Sequence, residues 1–340
     1  MKLIFDARVL MHKSYTGIEN YTKNILDNIQ NDVDINIAKP NSSNKYIAHL
    51  WNHFILPFKK GDILFCPANI SPLFVPKNKE LIVTLHDVAF LTYPESFSFF
   101  FKHYYQWLIP KTIKRADKII TISNTSRKEI IKYYPYAKNK LEVIYLGIDN
   151  TFKVLPNINK KNQILYVGSL NERKNFISVI KAFIQSNSKE FQLLIVGNFS
   201  PNFNLNQETQ NILDKAKNNP NIKFKYNISN KELTQLYNES KLFIFPSFYE
   251  GFGLPPLESM ACGTPVITSS LSSMAEVCAN AAIFVDPHNL NDITQQLKIL
   301  LNDDILQKDM ITKGLKHIEK FTWEKSATQH LKVFKEVLKK

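Results

Sequence analysis

The sequence predicts an α/β protein made of two Rossmann-like, doubly wound domains. Three observations carry this. Short apolar runs recur along the chain and are unbroken rather than alternating, as parallel strands buried on both faces require. Longer amphipathic stretches lie between them, so strand and helix alternate. The series pauses once, at residues 150–162, in a polar stretch that holds a proline and shows no period, which reads as an interdomain linker.

Taken in order, the strand-like runs of the first half are 2–5, 63–66, 81–85, 118–122 and 141–145. An amphipathic helix follows the first of them from about Glu19. The second half offers 163–167, 191–196, 222–225, 242–245, 265–268 and 282–285, with helical patterns at 175–185, 233–239 and 291–301 between them. This gives a first domain over 1–155, a second over 160–322 and a final helix over 323–340. Ligands of such sheets bind outside the carboxyl ends of the strands, so two such domains are expected to face a shared cleft.

Composition narrows the class. Of 340 residues, 44% are hydrophobic, enough for ordinary cores and too many for a disordered chain, and only 9 glycines exclude a collagen-like repeat. Cys66, Cys262 and Cys278 are odd in number and lack zinc-site spacing, so reduced thiols in a cytoplasmic protein are expected. The opening apolar run stops at Asp6, too short for a secretory signal, and no run approaches the roughly 18 residues of a membrane span. The formal net charge is +13. It calls for an anionic partner: nucleic acid, a phosphorylated ligand or an acidic membrane face.

The most informative stretch runs from 245 to 266. A buried strand ends at Phe245, a loop with Gly251 and Gly253 follows, and a helix begins near Pro255. Glycines let backbone approach a ligand, and free N–H groups at a helix start hold a diphosphate. Glu250 stands before that anion site, where it could accept hydrogen bonds from sugar hydroxyls, and Glu258 stands within the helix, where it could bind a ribose diol bidentately. A plain strand–turn–helix corner with two surface glutamates fits the same spacing. Arg173 and Lys174 follow the first strand of the second half and could neutralise a leaving diphosphate; an exposed basic turn is the alternative. His86 ends the run 81–85, where its imidazole could meet a sugar hydroxyl, Asp87 beside it would fix the loop, and Gly17 precedes a helix.

Glu250 and Glu258 together form an E-x7-E pattern that resembles the retaining glycosyltransferases of family 4, which have the GT-B fold. The likeness extends over nearly the whole chain. It includes Phe5-Asp6-Ala7-Arg8, Thr16-Gly17-Ile18-Glu19, Thr84-Leu85-His86-Asp87, Val143 to Asp149, and Val167-Gly168-Ser169 through Asn175. The resemblance implies two facing domains, acceptor binding by the first and nucleotide-sugar binding by the second, and a last helix that crosses back to the first. It implies a catalytic group of His86, Glu250, Arg173 and Lys174. Donor binding would fall to Gly17, Gly168, Ser169, Gly251, Phe252, Gly253, Leu254 and Glu258, with 224–228 lining the nucleobase pocket. Relatives often carry arginine where this chain has Ser169. Arg173 stands in for it, as in the branch with an Arg-Lys-Asn run.

That branch includes many mannosyltransferases of surface polysaccharide and lipopolysaccharide synthesis. The expected reaction is retaining transfer of a hexose from a nucleotide-diphosphate sugar to a glycan or lipid-linked acceptor, with GDP-mannose first and UDP-hexoses next, and no other cofactor. The fold needs no metal, and Asp32-Val33-Asp34 reads as a polar turn rather than a metal-binding D-x-D. A non-catalytic binding subunit of the same fold is the alternative; the presence of Glu250, Glu258, His86 and Lys174 together argues against it. The charge is uneven: residues 98–140 net +8 and 316–340 net +4. Basic residues beside Phe99, Phe100, Phe101, Tyr104, Tyr105 and Trp107 suit an acidic membrane surface, and a peripheral place on the inner membrane face is expected; specific nucleic-acid binding is not.

Overall fold

A computed structural model describes residues 2–11, 17–199 and 207–338. Thr16, Lys339 and Lys340, which figure in the motifs and charge segments above, lie outside the described residues. The chain divides into two compact units. One comprises Met1–Thr92, Phe99–Gly147 and Phe321–Lys340, and the other Tyr93–Ser98 and Ile148–Lys320.

Unit 1 holds strands β1 (Lys2–Asp6), β2 (Asp34–Ala38), β3 (Ile63–Cys66), β4 (Glu80–Thr84), β5 (Lys118–Thr121) and β6 (Leu141–Val143). Its first helices are α1 (Gly17–Ile29), α2 (Lys45–Phe54), α3 (Ala89–Thr92), α4 (Phe99–Arg115) and α5 (Asn124–Tyr133). Unit 2 holds β7 (Lys161–Val167), β8 (Gln192–Val196), β9 (Ile222–Lys225), β10 (Ser240–Phe245), β11 (Val266–Ser269) and β12 (Ile283–Val285). Around them lie α6 (Phe176–Ser186), α7 (Gln207–Lys217), α8 (Asn230–Glu239), α9 (Leu254–Ala261), α10 (Met274–Cys278), α11 (Leu290–Asn302) and α12 (Asp304–Ile318). The last helix, α13 (Trp323–Val337), returns to unit 1 and packs on α1, as expected of the crossing helix.

Each unit is a six-stranded parallel sheet, ordered β2-β1-β3-β4-β5-β6 in unit 1 and β12-β11-β10-β7-β8-β9 in unit 2. The order reverses between β1 and β3 in the first sheet and between β7 and β10 in the second. Those reversals are the topological switch points, where crossover helices leave to opposite faces and open a crevice at the strand ends. The interior strands read as continuous apolar runs because both faces are covered; Ile63–Cys66 and Leu242–Phe245 are fully buried.

Two features depart from the sequence reading. β2 is absent from the expected runs because it is an edge strand whose residues 34–37 are exposed or half-buried and whose side chains alternate. Asp34 pairs with Lys2 inside it rather than sitting in a turn. The stretch expected as a linker is docked on unit 2: Phe152 is buried, the Leu155 N–H donates to Asn238 Oδ1 (2.8 Å), and Asn238 Nδ2 donates back to the Lys153 carbonyl (3.0 Å). Polar composition concealed this because the docking uses backbone groups.

The return of α13 is fixed by packing and by one buried hydrogen-bond chain. Tyr21 of α1 bonds Thr84 Oγ1 and His330 Nε2, each at 2.7 Å, and His330 Nδ1 donates to the Ser326 carbonyl (2.7 Å). Since Nδ1 carries the proton, Nε2 accepts from the Tyr21 hydroxyl, and Thr84 donates to Tyr21. Phe334 stacks at an angle on Phe65 (5.0 Å between centroids) and is fully buried. A buried Phe of this kind stabilises by about 1.5–3 kcal/mol. Gly147 is where the α13 entry meets β6: a Cβ there would lie 2.3 Å from the Trp323 nitrogen.

Candidate active site

The unit 2 switch point gathers residues from two strand ends. After β7 the backbone passes Gly168 and Ser169, then makes a short 3₁₀ turn over Glu172–Lys174. Asn171 caps that turn, its Oδ1 accepting from the Lys174 N–H (3.0 Å), and its Nδ2 donates to Ser169 Oγ (3.1 Å). Asn175 closes it in the left-handed region (φ 54°) and donates to the carbonyls of Pro246 (2.9 Å) and Pro287 (3.0 Å). The loop after β10 lies alongside: the Phe248 N–H donates to the Arg173 carbonyl (2.9 Å). Gly168 is tight, since a Cβ would sit 3.3 Å from both the Phe245 ring and the Tyr166 hydroxyl.

This frame delivers one carboxylate between two cations. Lys174 Nζ forms a very short ion pair with Glu250 Oε1, and Arg173 Nη1 lies 3.6 Å from Oε2. Ser247 donates to Oε1 (3.0 Å). Burial alone would raise the Glu250 carboxyl; the charges of Lys174 and Arg173 overcome this and hold it below the usual carboxylate value. Two cations and one carboxylate leave a net positive charge in a nearly buried place. Arg173 also donates through Nη1 to the Tyr249 carbonyl, while its buried Nε has no hydrogen-bond partner among the described residues. A buried N–H without an acceptor is costly, so this donor is suited to an incoming anion.

The segment from Glu250 to α9 is clamped by hydroxyls from 272–273. Ser272 bonds both backbone groups of Glu250, and Ser273 donates to the carbonyls of Glu250 and Phe252, each at 2.8 Å. Gly251, Phe252 and Gly253 are all buried. Gly253 is obligatory: its φ is +110°, and a Cβ would lie 2.1 Å from Met274 Cε. It is also the N-cap of α9, which starts at Leu254 and carries Pro255 and Pro256 in its first turn, so of its first four residues only Leu254 and Leu257 have an N–H. Such a start presents the positive end of a helix dipole with few backbone donors.

Glu258 stands one turn into α9. Tyr237 on α8 donates to its Oε2 (3.1 Å). Burial pushes its carboxyl up to about 7, the Tyr237 hydrogen bond opposes this, and the charge of Asp149 adds to it. Sequence reasoning gave no role to Tyr237, Ser247 or the Ser272–Ser273 pair, and took Asn175 only as part of the Arg-Lys-Asn run. The run Ser269-Ser270-Leu271-Ser272-Ser273 is the only one of these that leaves a visible mark, as a hydroxyl-rich loop after a strand.

In unit 1, His86 lies just past β4 and is buried. Its N–H is held by Asn69 Oδ1 (2.9 Å), and its Nε2 donates to the Pro67 carbonyl (2.9 Å). A carbonyl only accepts, so Nδ1 is the lone-pair nitrogen. Burial holds the imidazole below its ordinary value, so it is neutral at pH 7. The Tyr21 ring meets it edge-on at 4.8 Å. Gly17 begins α1 and is exposed, and a Cβ there would meet nothing within 4 Å. Among the described residues nothing in unit 1 requires glycine at this position.

At the far strand end of unit 2, Phe199 and Tyr226 are partly exposed and tilted against each other at 6.4 Å, and Tyr226 lies within the 224–228 stretch expected at the nucleobase. Among the described residues no group of three or more His, Cys, Asp or Glu is arranged to hold a metal. The three thiols are free and buried, and burial pushes Cys262 and Cys278 up to about 12.

Comparison with known proteins bears on both units. The family described as "Glycosyl transferases group 1" matches residues 147–317, and "Glycosyltransferase Family 4" matches 17–152. O-antigen chain mannosyltransferase B of Escherichia coli is 26% identical over 268 residues, covering 75% of this chain and 70% of its own length. O-antigen chain mannosyltransferase RfbU of Salmonella typhimurium is 32% identical over 213 residues, covering 63% of this chain and 58% of its own. Among solved structures, sucrose-phosphate synthase from Thermosynechococcus elongatus superposes with a TM-score of 0.75 at 17% identity over 99% of this chain and 98% of that one. WaaG, a glycosyltransferase involved in lipopolysaccharide biosynthesis, gives 0.70 at 15% over 96% and 98%. Anabaena HepE in complex with UDP and glucose gives 0.74 at 16% over 99% and 100%. These last three speak for the fold.

Proposed function

The chain belongs to the glycosyl transferases of group 1, and from that premise we propose that it moves a hexose, with retention, from a nucleotide-diphosphate sugar to a hydroxyl of a glycan or lipid-linked acceptor in cell-surface polysaccharide synthesis. Mannose from GDP-mannose is the first choice, since both O-antigen relatives are named as mannosyltransferases.

The observation that carries the reading is the Arg173–Lys174–Glu250 cluster beside the start of α9. It has net positive charge, low exposure and an unused Arg173 N–H. A donor diphosphate would draw both cations, and Glu250, released from them, would take hydroxyls of the transferred sugar. As the sugar–phosphate bond breaks, the growing negative charge on the diphosphate falls on donors already in place, a term commonly worth several kcal/mol. Glu258 would accept the ribose diol, steadied by Tyr237. Gly168, Ser169, Gly251, Phe252, Gly253 and Leu254 would bring backbone against the donor. Gly17 and neutral His86 serve the acceptor side, His86 through a ring nitrogen near the reacting carbon. Unit 1 would meet its acceptor at an acidic membrane face, with 98–140 and 316–340 supplying long-range attraction.

Lys174→Ala should lower kcat about 10²–10³-fold, the usual loss on removing a transition-state donor. Glu258→Ala should raise donor KM about tenfold or more with a smaller effect on kcat. Unchanged kcat/KM in both variants would sink the site assignment. A thermal-shift panel over GDP- and UDP-sugars tests the donor: stabilisation by one nucleotide alone identifies the base.

A further inference from the structure

Among the described residues twenty-three large apolar side chains stand out into solvent, and twelve of them fall between residues 46 and 107. They cluster in space as well as in sequence. Tyr46, Leu50 and Phe54 repeat every fourth residue along one face of α2 and are 70%, 59% and 70% exposed. Phe58 follows at the end of that helix, Phe74 lies on the loop after β3, and Phe100 starts α4. One side chain ties the three segments together: His53 of α2 accepts from the Leu73 N–H at Nδ1 (3.2 Å) and bonds the Tyr104 hydroxyl of α4 through Nε2 (2.9 Å). The His49 ring meets Tyr104 edge-on at 5.5 Å.

The charge around this ridge is strongly positive. Residues 39–79 and 97–116 contain ten Lys and Arg and one acid, Asp62, whose carboxylate accepts from the Lys2 N–H (2.7 Å). Lys60, Lys77, Lys111 and Lys114 are exposed, and the Lys111 ammonium sits 3.5 Å over the Trp107 ring. A second copy of the chain would bring like charge against like charge. Nucleic acid would gain nothing from Ile47, Leu50 and Leu73, which have no ring to stack. The C-terminal basic segment differs: Glu324 and Glu336 are exposed on α13, and Lys332 lies 4.0 Å from Glu336.

We propose that the ridge formed by α2, the 73–74 loop and the start of α4 inserts its aromatic and aliphatic side chains into the interface of an anionic bilayer, with the surrounding lysines on lipid phosphates. α2, at ten residues, lies in the plane of such an interface, and among the described residues no helix is long and apolar enough to cross a membrane. Aromatic rings settle at headgroup level, and lysines reach past them to the phosphates. The proposal deepens the reading of a lipid-linked acceptor and rests on it for its purpose. It adds that attachment is by apolar insertion and that its centre is α2, outside both strongly basic segments.

The test uses the full chain with vesicles of phosphatidylethanolamine and 30% phosphatidylglycerol, without donor or acceptor. Trp107 is half-exposed while Trp51 and Trp323 are buried, so emission reports the ridge. The wild type should sediment with these vesicles, shift its emission to the blue, and keep a measurable part of its binding in 0.5 M salt. Leu50→Ser/Phe54→Ser/Phe74→Ser should weaken vesicle binding at least tenfold and abolish the salt-resistant part. Its melting temperature and its donor-induced thermal shift should stay as in the wild type. Equal binding by the variant, absence of binding by the wild type, complete loss of wild-type binding in 0.5 M salt, or a wild-type dimer dispersed by the substitutions would each overturn the proposal. Because no sugar is present, failure here leaves the donor site standing, and failure of the donor panel leaves this result standing.

Discussion

Two buried residues, Glu258 and His330, respond to acid in opposite directions. The Glu258 carboxyl is held at about 7 by burial against a reference of 4.5. Between those values the folded chain holds the extra proton, so this contribution to stability is full below 4.5 and is lost as pH rises through 7. Burial lowers His330 to about 4 from 6.5. There the unfolded chain holds the extra proton, so the contribution is full above 6.5 and is lost as pH falls through 4. Acidification from pH 7 to 5 should therefore firm unit 2 around Glu258 and weaken unit 1 around His330. Glu258→Gln, neutral throughout, should raise the melting temperature at pH 8, by roughly 2–4 °C for each kcal/mol relieved, with little change at pH 5. Parallel melting profiles for variant and wild type across this range would refute the assignment. Catalysis adds a second reading of the same group: only the carboxylate accepts both ribose hydroxyls, so wild-type donor KM should climb as pH falls from 8 to 6.

Two glycines at helix starts in the proposed site answer to different demands. Gly253 is held by the fold, through its positive φ and the Met274 methyl against it. Gly17 is not, since a Cβ has open space and α1 would gain helix propensity. Gly253→Ala should lower the melting temperature by several degrees and weaken donor binding with it. Gly17→Ala should leave melting unchanged or slightly raised while kcat/KM falls. Normal turnover in Gly17→Ala would remove that residue from the site.

The same contrast explains what was legible in the sequence. The interior strand β3 is readable to the residue because both faces are buried. The edge strand β2 is not, because its half-exposed residues look like loop. Glu250, Glu258 and Lys174 stand out by spacing and by family likeness. What they touch was hidden: Ser247 and Tyr237 are ordinary residues in sequence, and only the fold makes Ser247 a partner of Glu250 and Tyr237 a partner of Glu258. The Lys174–Glu250 ion pair was equally unreadable, 76 residues apart.

At the scale of the whole molecule, the net charge of +13 resolves into parts with different jobs. α13 bears mixed charge, while α2, the 73–74 loop and α4 carry Lys and Arg without Asp or Glu and hold exposed apolar side chains. The division into units also shows what the last helix is for. Cutting the chain after Lys320 removes α13 and uncovers Tyr21, Thr84 and Phe65. A 1–320 fragment should be poorly soluble or should expose a hydrophobic surface to a dye such as ANS, with unit 2 retaining its nucleotide-induced thermal shift. A soluble fragment with unchanged unit 1 melting would show that α13 is dispensable.

Tyr21 hydrogen-bonds a histidine 309 positions later in the chain, and that distance has a meaning in time. Polypeptides emerge at about 5–20 residues per second. Between Gly147, where the first stretch of unit 1 ends, and the close of α13 the ribosome must add nearly two hundred residues, on the order of 10–40 s of synthesis. Through that interval the earliest strands stand with Phe65 and the Tyr21 hydroxyl uncovered, while unit 2, whose described segments are all made before Phe321, can close. The domain begun first is finished last, and a nascent chain of this kind needs shelter over its amino-terminal half until its final turn of helix arrives.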